Sequence, residues 1–159
     1  MRKFKFISFF LLILLPAFVF SQTHKKESKA NIPDIWPVKG IVDKYFGSFI
    51  DTATGEERFN NGIYICTKEG EKVRATAEGY VKNIKKSKDG NYMVVVDHGN
   101  SYITRYGNLS QVDVKEKEYL KMGENIGVVG KTADEKMPFL YFEIQFENKP
   151  VDPFDYIMK

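Results

Sequence analysis

The chain has 159 residues, a formal net charge of +3 at pH 7 and a single cysteine, Cys66. Its length is enough for one domain with a hydrophobic core and too short for two domains of ordinary size. The lone cysteine excludes an intrachain disulfide, and no basic patch with interleaved aromatic residues points to a nucleic-acid partner.

The first 21 residues have the pattern of a secretory signal peptide. Three basic residues lie within the first five positions, and residues 6–20 are apolar except for Ser8 and Pro16. This apolar run is shorter than the roughly 20 residues that a membrane-spanning helix needs, and Ser21 offers a small residue for cleavage. We predict secretion across the inner membrane into the periplasm, with an uncleaved N-terminal anchor as the alternative.

Residues 22–33 follow as a polar stretch without a hydrophobic period, which predicts a flexible leader ahead of a folded domain at residues 34–159. Cleavage of the signal peptide removes three of the 24 basic residues and none of the 21 acidic ones. The mature chain is therefore near neutral, and its charge predicts no polyanionic partner.

From Trp36 onward, short runs of β-forming residues are separated by glycine-centred turns, and the 3.6-residue period of long helices is missing. Residues 73–77 alternate between apolar and polar side chains, and a turn at Gly79 leads into the next predicted strand. Residues 93–96 are all apolar, which predicts a strand buried on both faces. These patterns predict an all-β domain.

A tight hairpin is predicted at residues 98–100, because Gly99 and Asn100 belong to residue types that readily adopt positive φ angles. The glycines within residues 123–130 predict tight corners of the sheet. Residues 139–146 form the last long predicted strand, and a short closing segment follows it.

Several short motifs follow one another in a specific order between residues 36 and 158. They are Trp36-Pro37-Val38-Lys39-Gly40, Tyr45-Phe46-Gly47, Thr54-Gly55, Asn61-Gly62-Ile63, Val73-Arg74-Ala75-Thr76-Ala77-Glu78-Gly79-Tyr80-Val81, Asp97-His98-Gly99-Asn100, Tyr106-Gly107-Asn108-Leu109-Ser110, Phe142-Glu143-Ile144 and Pro150-Val151-Asp152-Pro153. In order and spacing, these motifs resemble the lysostaphin or LytM-type zinc endopeptidases, which cut peptide cross-links in peptidoglycan.

The resemblance implies a two-layer antiparallel β-sandwich or barrel-like core, the duplicated hybrid motif fold, with a groove between loops. In that family, His, Asp and His hold a zinc ion in the groove, and two further histidines serve the chemistry. A catalytic zinc needs about three nitrogen, oxygen or sulfur ligands from the protein and an open position for water.

This sequence departs from the family at each of those five positions. Asn60 and Tyr64 stand at the two ligand positions of the first motif, and Tyr141 stands at the third ligand position. Asn108 and Phe139 replace the two catalytic histidines. Because neutral amides and aromatic rings bind zinc poorly, we expect a pseudoenzyme that has no zinc cofactor and no hydrolytic activity of the family type.

Two interpretations of the replaced positions stay open. Either the new side chains fill the space of the metal site and stabilise the fold, or they form a surface for a peptide, a glycan or a helix of another protein. His98 is expected to serve a structural role in the hairpin turn, and Glu143 is expected to be a hydrogen-bonding carboxylate at a strand end.

The first functional hypothesis is a non-catalytic envelope module that binds or regulates peptidoglycan-remodelling machinery. The resemblance implies this because degenerate LytM-type domains activate peptidoglycan amidases, so the expected partner is such an amidase or peptidoglycan itself. A second hypothesis is an enzyme whose site is rebuilt from Glu143, Asp97, His98 or Asp43. A third is a structural envelope protein that assembles through exposed strand edges.

Overall fold

The computed structural model of the chain describes residues 31–132 and 137–157. The predicted signal peptide and residues 22–30 of the predicted leader lie outside the described residues, and both stay predictions. Within the described ranges, no helix is long and apolar enough to cross a membrane.

The described residues form twelve short strands and one helical turn. The elements are β1 (Ile41–Lys44), β2 (Gly47–Ile50), β3 (Glu57–Asn60), β4 (Ile63–Cys66), β5 (Lys72–Arg74), β6 (Gly79–Lys86), β7 (Tyr92–Gly99), β8 (Tyr102–Val112), β9 (Tyr119–Leu120), β10 (Asn125–Val129), β11 (Phe139–Phe146), β12 (Lys149–Val151) and α1 (Phe154–Ile157).

The strands form a large antiparallel sheet in the order β1-β4-β11-β8-β7-β6-β9. Strand β12 pairs with β11, while β10 pairs with both β8 and β5, and β2 and β3 form a separate hairpin. The structure therefore confirms the predicted all-β, antiparallel fold.

Strand β8 belongs both to the main sheet and to a smaller layer, which its second half forms together with β10 and β5. Its first half, through Gly107, pairs with β11, and its second half, from Leu109, pairs with β10. Asn108 lies between the two halves and has a positive φ angle of 62°. The backbone turns at this residue, so one continuous strand passes from the main sheet into the smaller layer.

One face of the main sheet is packed into the hydrophobic core. Along β11, Leu140, Phe142 and Ile144 are fully buried, and they alternate with residues that point to the other face. In β7, residues 94–96 are buried as predicted, whereas Met93 is only partly buried. The opposite face of β4, β8 and β11 is therefore left to line the candidate site.

The predicted strand at residues 73–77 is shorter in the structure. Strand β5 ends at Arg74, and residues 75–77 are all buried instead of alternating between two faces. The amide of Ala75 donates a hydrogen bond of 2.9 Å to the carbonyl oxygen of Glu124, in the turn before β10. The predicted strand was therefore too long, because residues 75–77 form a connecting segment that packs against the turn before β10.

The hairpin at residues 98–100 is confirmed, since Gly99 and Asn100 have φ angles of 77° and 47°. The prediction for His98 was wrong in its location. His98 belongs to strand β7 and is only 3% exposed, so its side chain is buried on the core side of the sheet and does not lie in the exposed turn.

His98 joins strand β7 to strand β8 and to the segment just before β6 through two hydrogen bonds of 2.7 Å. Its Nδ1 lies against the backbone carbonyl oxygen of Glu78, and its Nε2 lies against the hydroxyl of Thr104. Because a carbonyl oxygen can only accept, Nδ1 carries the proton and Nε2 accepts from the hydroxyl of Thr104. Burial lowers the pKa of His98, which keeps the ring neutral.

Acid should destabilise this fold through His98. The unfolded chain binds the His98 proton more tightly than the folded chain, so this contribution to stability is complete above about pH 6.5 and is lost as the pH falls through the lower pKa of the folded state. We expect the melting temperature of the wild type to fall from pH 7.5 to pH 5.0 by more than that of His98→Gln. Thermal melts followed by circular dichroism test this.

The His98→Gln variant also serves as the control at neutral pH. There it should be less stable than the wild type by about 1–3 kcal/mol, because a buried hydrogen-bonding group loses its partner. Equal losses of melting temperature in the two proteins between the two pH values would contradict the assignment to His98.

Candidate functional site

A groove of about 490 Å³ lies on the face of the sheet that is turned away from the core. All five positions singled out from the sequence line it, namely Asn60, Tyr64, Asn108, Phe139 and Tyr141. Glu143 lines the groove as well. Strands β3, β4, β8 and β11 therefore bring together residues that are far apart along the chain.

Three aromatic side chains form one part of the groove surface. The ring of Tyr64 lies 5.1 Å from that of Phe139 and 5.3 Å from that of Tyr141, measured between centroids. Tyr64 and Tyr141 stand directly opposite each other on β4 and β11, and Gly107 stands opposite Tyr141 on β8. A Cβ atom at Gly107 would come within 3.2 Å of the Tyr141 side chain, so the glycine makes room for it.

This aromatic cluster, Tyr64, Phe139 and Tyr141, fills part of the space and leaves part of it open. Phe139 is only 9% exposed, whereas the two tyrosines are half-buried and reach the groove surface. The cluster is therefore a floor beside a remaining cavity and does not plug it. The rings therefore fill part of the space, as one of the two interpretations expected, and the binding surface of the other interpretation stays a prediction.

Glu143 lies in the middle of strand β11 and is 5% exposed, so the expectation of a strand-end position was wrong. The hydroxyl of Tyr141 donates to Oε2 of Glu143 at 2.6 Å, and Nε2 of Gln145 donates to Oε1 at 2.5 Å. Burial, together with the hydrogen bond to this carboxylate, raises the pKa of Tyr141 strongly. Tyr141 is therefore a neutral donor and Glu143 an acceptor that is already engaged.

Arg105 supplies a positive charge beside this carboxylate. Its Nε lies 3.4 Å from Oε1 of Glu143, which makes an ion pair, yet this buried nitrogen makes no hydrogen bond to any described residue. The Arg105 side chain is 31% exposed and lines the groove. A guanidinium group has several N–H donors, so the exposed part of this side chain can bind a further acceptor at the groove surface.

Asn108 is occupied by hydrogen bonds inside the protein. Its amide nitrogen donates to the carbonyl oxygens of Phe139, at 2.7 Å, and Gly130, at 3.1 Å. Its amide oxygen accepts a bond of 2.6 Å from the side chain of Asn91. Asn108 therefore joins β8, β11 and the end of β10, and little of its polar surface is left for a ligand.

Asn60, which also lines the groove, makes fewer hydrogen bonds than Asn108. It ends strand β3, is half-buried, and donates one hydrogen bond of 3.0 Å to the backbone carbonyl oxygen of Tyr45. This bond holds the β2–β3 hairpin against the turn after β1. The hairpin in turn places Phe59 along the groove.

The side chains at the three zinc-ligand positions of the family do not fit zinc. The amide nitrogen of Asn60 donates to the backbone, the hydroxyl of Tyr141 is held protonated, and the ring of Tyr64 packs against two aromatic neighbours. Zinc sites in proteins use imidazole, thiolate or carboxylate ligands. In residues 31–132 and 137–157, no three His, Cys, Asp or Glu side chains lie close enough together to hold a metal.

The residues considered for a rebuilt catalytic site do not meet in the groove. Only Glu143 lines it. Asp97 lies further along the sheet, 3.8 Å from the amine of Lys82, and His98 is buried on the core side. Asp43 lies in β1, at the edge of the sheet.

Two residues that shape the site were not predicted from the sequence. Arg105 could have been found, because it stands two residues before Gly107 in a strand and so shares the groove face with it. Asn91 could not, because it lies 17 residues from Asn108 and only the folded chain brings the two amides together.

The sequence and the fold of the chain are similar to those of known proteins. The model of peptidase family M23 matches residues 58–153. The murein hydrolase activator NlpD of Escherichia coli is 29% identical over 123 residues, which cover 77% of this chain and 30% of NlpD. The cell division protein DipM of Caulobacter vibrioides is 32% identical over 126 residues, which cover 74% of this chain and 20% of DipM.

A zinc-containing peptidase from Vibrio cholerae has a similar fold in its crystal structure, with a TM-score of 0.71 and 28% identity over 77% of this chain and 39% of that one. The fold and the family resemblance expected from the sequence are both confirmed by these matches. The chain spans less than a third of the length of the two curated relatives.

The two groove asparagines should differ sharply in their effect on stability. Asn108→Ala leaves the carbonyl oxygens of Phe139 and Gly130 and the amide of Asn91 without their partner and places alanine at a positive φ angle. We expect a loss of about 2–4 kcal/mol in the free energy of unfolding. Denaturant titration at neutral pH measures it.

Asn60→Ala is the matched control, since it removes one exposed hydrogen bond and should cost less than about 1 kcal/mol. Equal destabilisation by the two substitutions would show that the Asn108 hydrogen bonds do not hold the layers together.

Proposed function

The chain belongs to peptidase family M23, and from this premise we propose that it is a non-catalytic, peptidase-like module of the cell envelope that binds or regulates peptidoglycan-remodelling machinery. One observation carries the proposal. The five positions that would serve zinc chemistry hold amides and aromatic rings that contact other parts of the protein, while the groove beside them remains.

The proposal includes the absence of a zinc cofactor and of hydrolytic activity. Hydrolysis by this family's chemistry needs a metal-bound water of lowered pKa and a histidine in reach of it. Asn108 and Phe139 cannot take or give a proton at the two histidine positions. The hydroxyl of Tyr141, at the third ligand position, is engaged in a hydrogen bond to Glu143.

The groove has the mixed surface that suits a protein segment. Tyr64 and Tyr141 offer apolar ring area together with hydroxyl groups, and residues of this type are enriched among those that dominate binding energy. Arg105 adds a charged donor beside the rings. Phe59, which is 56% exposed, extends the apolar surface onto the β2–β3 hairpin.

The partner we propose is a peptidoglycan hydrolase such as an amidase, or peptidoglycan itself. Support comes from the name of one relative, the murein hydrolase activator NlpD. A periplasmic location is proposed with it, because a signal peptide is predicted at residues 1–21 and murein lies outside the inner membrane.

Assembly through strand edges has less support than groove binding. The edge strand β1 has four residues and an irregular register between Val42 and Lys44, and the opposite edge, β9, has two residues. Short and irregular edges are the usual protection against edge-to-edge pairing.

Metal analysis tests the non-catalytic part of the proposal. The purified chain, incubated with zinc and then desalted, should retain much less than one equivalent of zinc and should release no peptide fragments from purified peptidoglycan. A zinc peptidase of the same family, treated in parallel, provides the positive control for both measurements. One retained equivalent together with cleavage of peptidoglycan would overturn the proposal.

Substitutions in the aromatic cluster test the regulatory part. In an assay of dye release from labelled peptidoglycan by a purified amidase, Tyr64→Ala should reduce the stimulation by this chain about tenfold or more, as expected for a central aromatic contact. Tyr64 is chosen because its ring contacts both other members of the aromatic cluster, Phe139 and Tyr141.

Tyr45→Ala is the matched control, since it removes an exposed tyrosine whose side chain does not line the groove and should leave the stimulation unchanged. Circular dichroism of both variants establishes that they are folded. Full stimulation by Tyr64→Ala, or no stimulation by the wild type of any amidase tested, would count against the regulatory role.

A further inference from the structure

Two tyrosines are exposed next to each other at the far edge of the main sheet. Tyr80 lies in β6, and Tyr119 lies directly opposite it in β9. They are 58% and 43% exposed, and their ring centroids are 5.0 Å apart with the ring planes inclined by 62°. The two rings form an open corner at the surface, which we call the tyrosine corner.

Neighbouring carboxylates hold and flank the tyrosine corner. The hydroxyl of Tyr119 donates a hydrogen bond of 2.8 Å to Oε2 of Glu78, which orients the ring. Asp97 stands directly opposite Tyr80 on β7 and lies 3.8 Å from the amine of Lys82. Each ring is therefore bordered by polar atoms that can accept or donate hydrogen bonds.

The arrangement matches the chemistry of a sugar ring. The C–H face of a pyranose is apolar and can stack on a tyrosine ring, while its hydroxyl groups need hydrogen-bond acceptors such as Glu78 and Asp97 at the ring edges. Glu78 and Asp97 thus place two carboxylates beside the rings, and acceptors of this kind suit the neutral hydroxyl groups of a sugar.

The tyrosine corner shares a face of the sheet with the groove. The cross-strand register places Tyr80, Asp97, Ile103 and Gln145 in one row from β6 to β11, and Gln145 follows Glu143 by two residues in β11. Three strand spacings, about 14 Å, separate β6 from β11. An extended chain bound at the corner can therefore continue along the same face of the protein.

We propose that Tyr80 and Tyr119 form a saccharide-binding site for an uncharged hexopyranose chain, such as the aminosugar backbone of a glycan strand. One sugar ring stacks on Tyr80 or Tyr119, and its hydroxyl groups bond to Glu78 and Asp97. The site is separate from the groove, so it does not depend on the regulatory function proposed above and would hold the domain on the polymer while the groove engages a protein.

Nuclear magnetic resonance titration of the purified chain with the hexamer of β-1,4-linked N-acetylglucosamine tests the proposal. We expect saturable shifts of the Tyr80 and Tyr119 ring signals and of the amide signals of residues 78–82. Tyr80→Ala and Tyr119→Ala should each weaken binding about tenfold or more, because each removes a stacking surface. Tyr119→Phe keeps the ring and loses only the bond to Glu78, so it should retain most of the affinity.

Tyr64→Ala separates this proposal from the groove function. It should bind the saccharide like the wild type even where it fails to stimulate an amidase. Three outcomes would overturn the saccharide site: no shift at either tyrosine at millimolar saccharide, shifts confined to the groove, or unchanged binding in both alanine variants. Preferential binding of an anionic polysaccharide at the same tyrosines would also overturn the stated ligand class.

Discussion

The hydrogen bonds of one side chain, Asn108, determine how the two layers of this domain are joined. Strand β8 must change direction between its pairing with β11 and its pairing with β10, and Asn108 adopts a positive φ angle at that point. Asparagine tolerates this conformation better than most residues, and its amide also satisfies the carbonyl oxygens of Phe139 and Gly130. Beyond Asn108, β8 pairs with β10 and no longer with β11, and the groove lies beside the point where the two strands part.

The side chains of the groove floor also make their contacts within the protein. At the positions where the family has its zinc ligands and catalytic histidines, Asn60, Asn108 and Tyr141 form hydrogen bonds to other groups of the protein. Few polar groups are therefore left there to bind a metal. What remains at the surface is aromatic ring area and the charge of Arg105. A surface of this kind suits recognition by shape and apolar contact.

The fold could be predicted further than the site. Residues 139–146 were predicted as a strand with the boundaries that β11 has, because apolar alternation and flanking turn residues report local structure. His98 was misplaced, since its neighbours suggest a turn and its burial depends on contacts with Thr104 and Glu78 in other segments of the chain. The pairing of Asn91 with Asn108 and that of Tyr80 with Tyr119 depend on strand register, which no local pattern encodes.

The hydrogen-bonded carboxylate of Glu143 determines what a substitution at position 141 would cost. A histidine placed at position 141 would remove the hydroxyl that donates to Glu143, and the buried carboxylate would lose one of its two neutral donors. The other two ligand positions would still hold Asn60 and Tyr64, which bind zinc poorly. Installing the family's ligands one residue at a time would therefore begin by weakening the hydrogen bonds of Glu143, so the internal contacts of the groove oppose such a change.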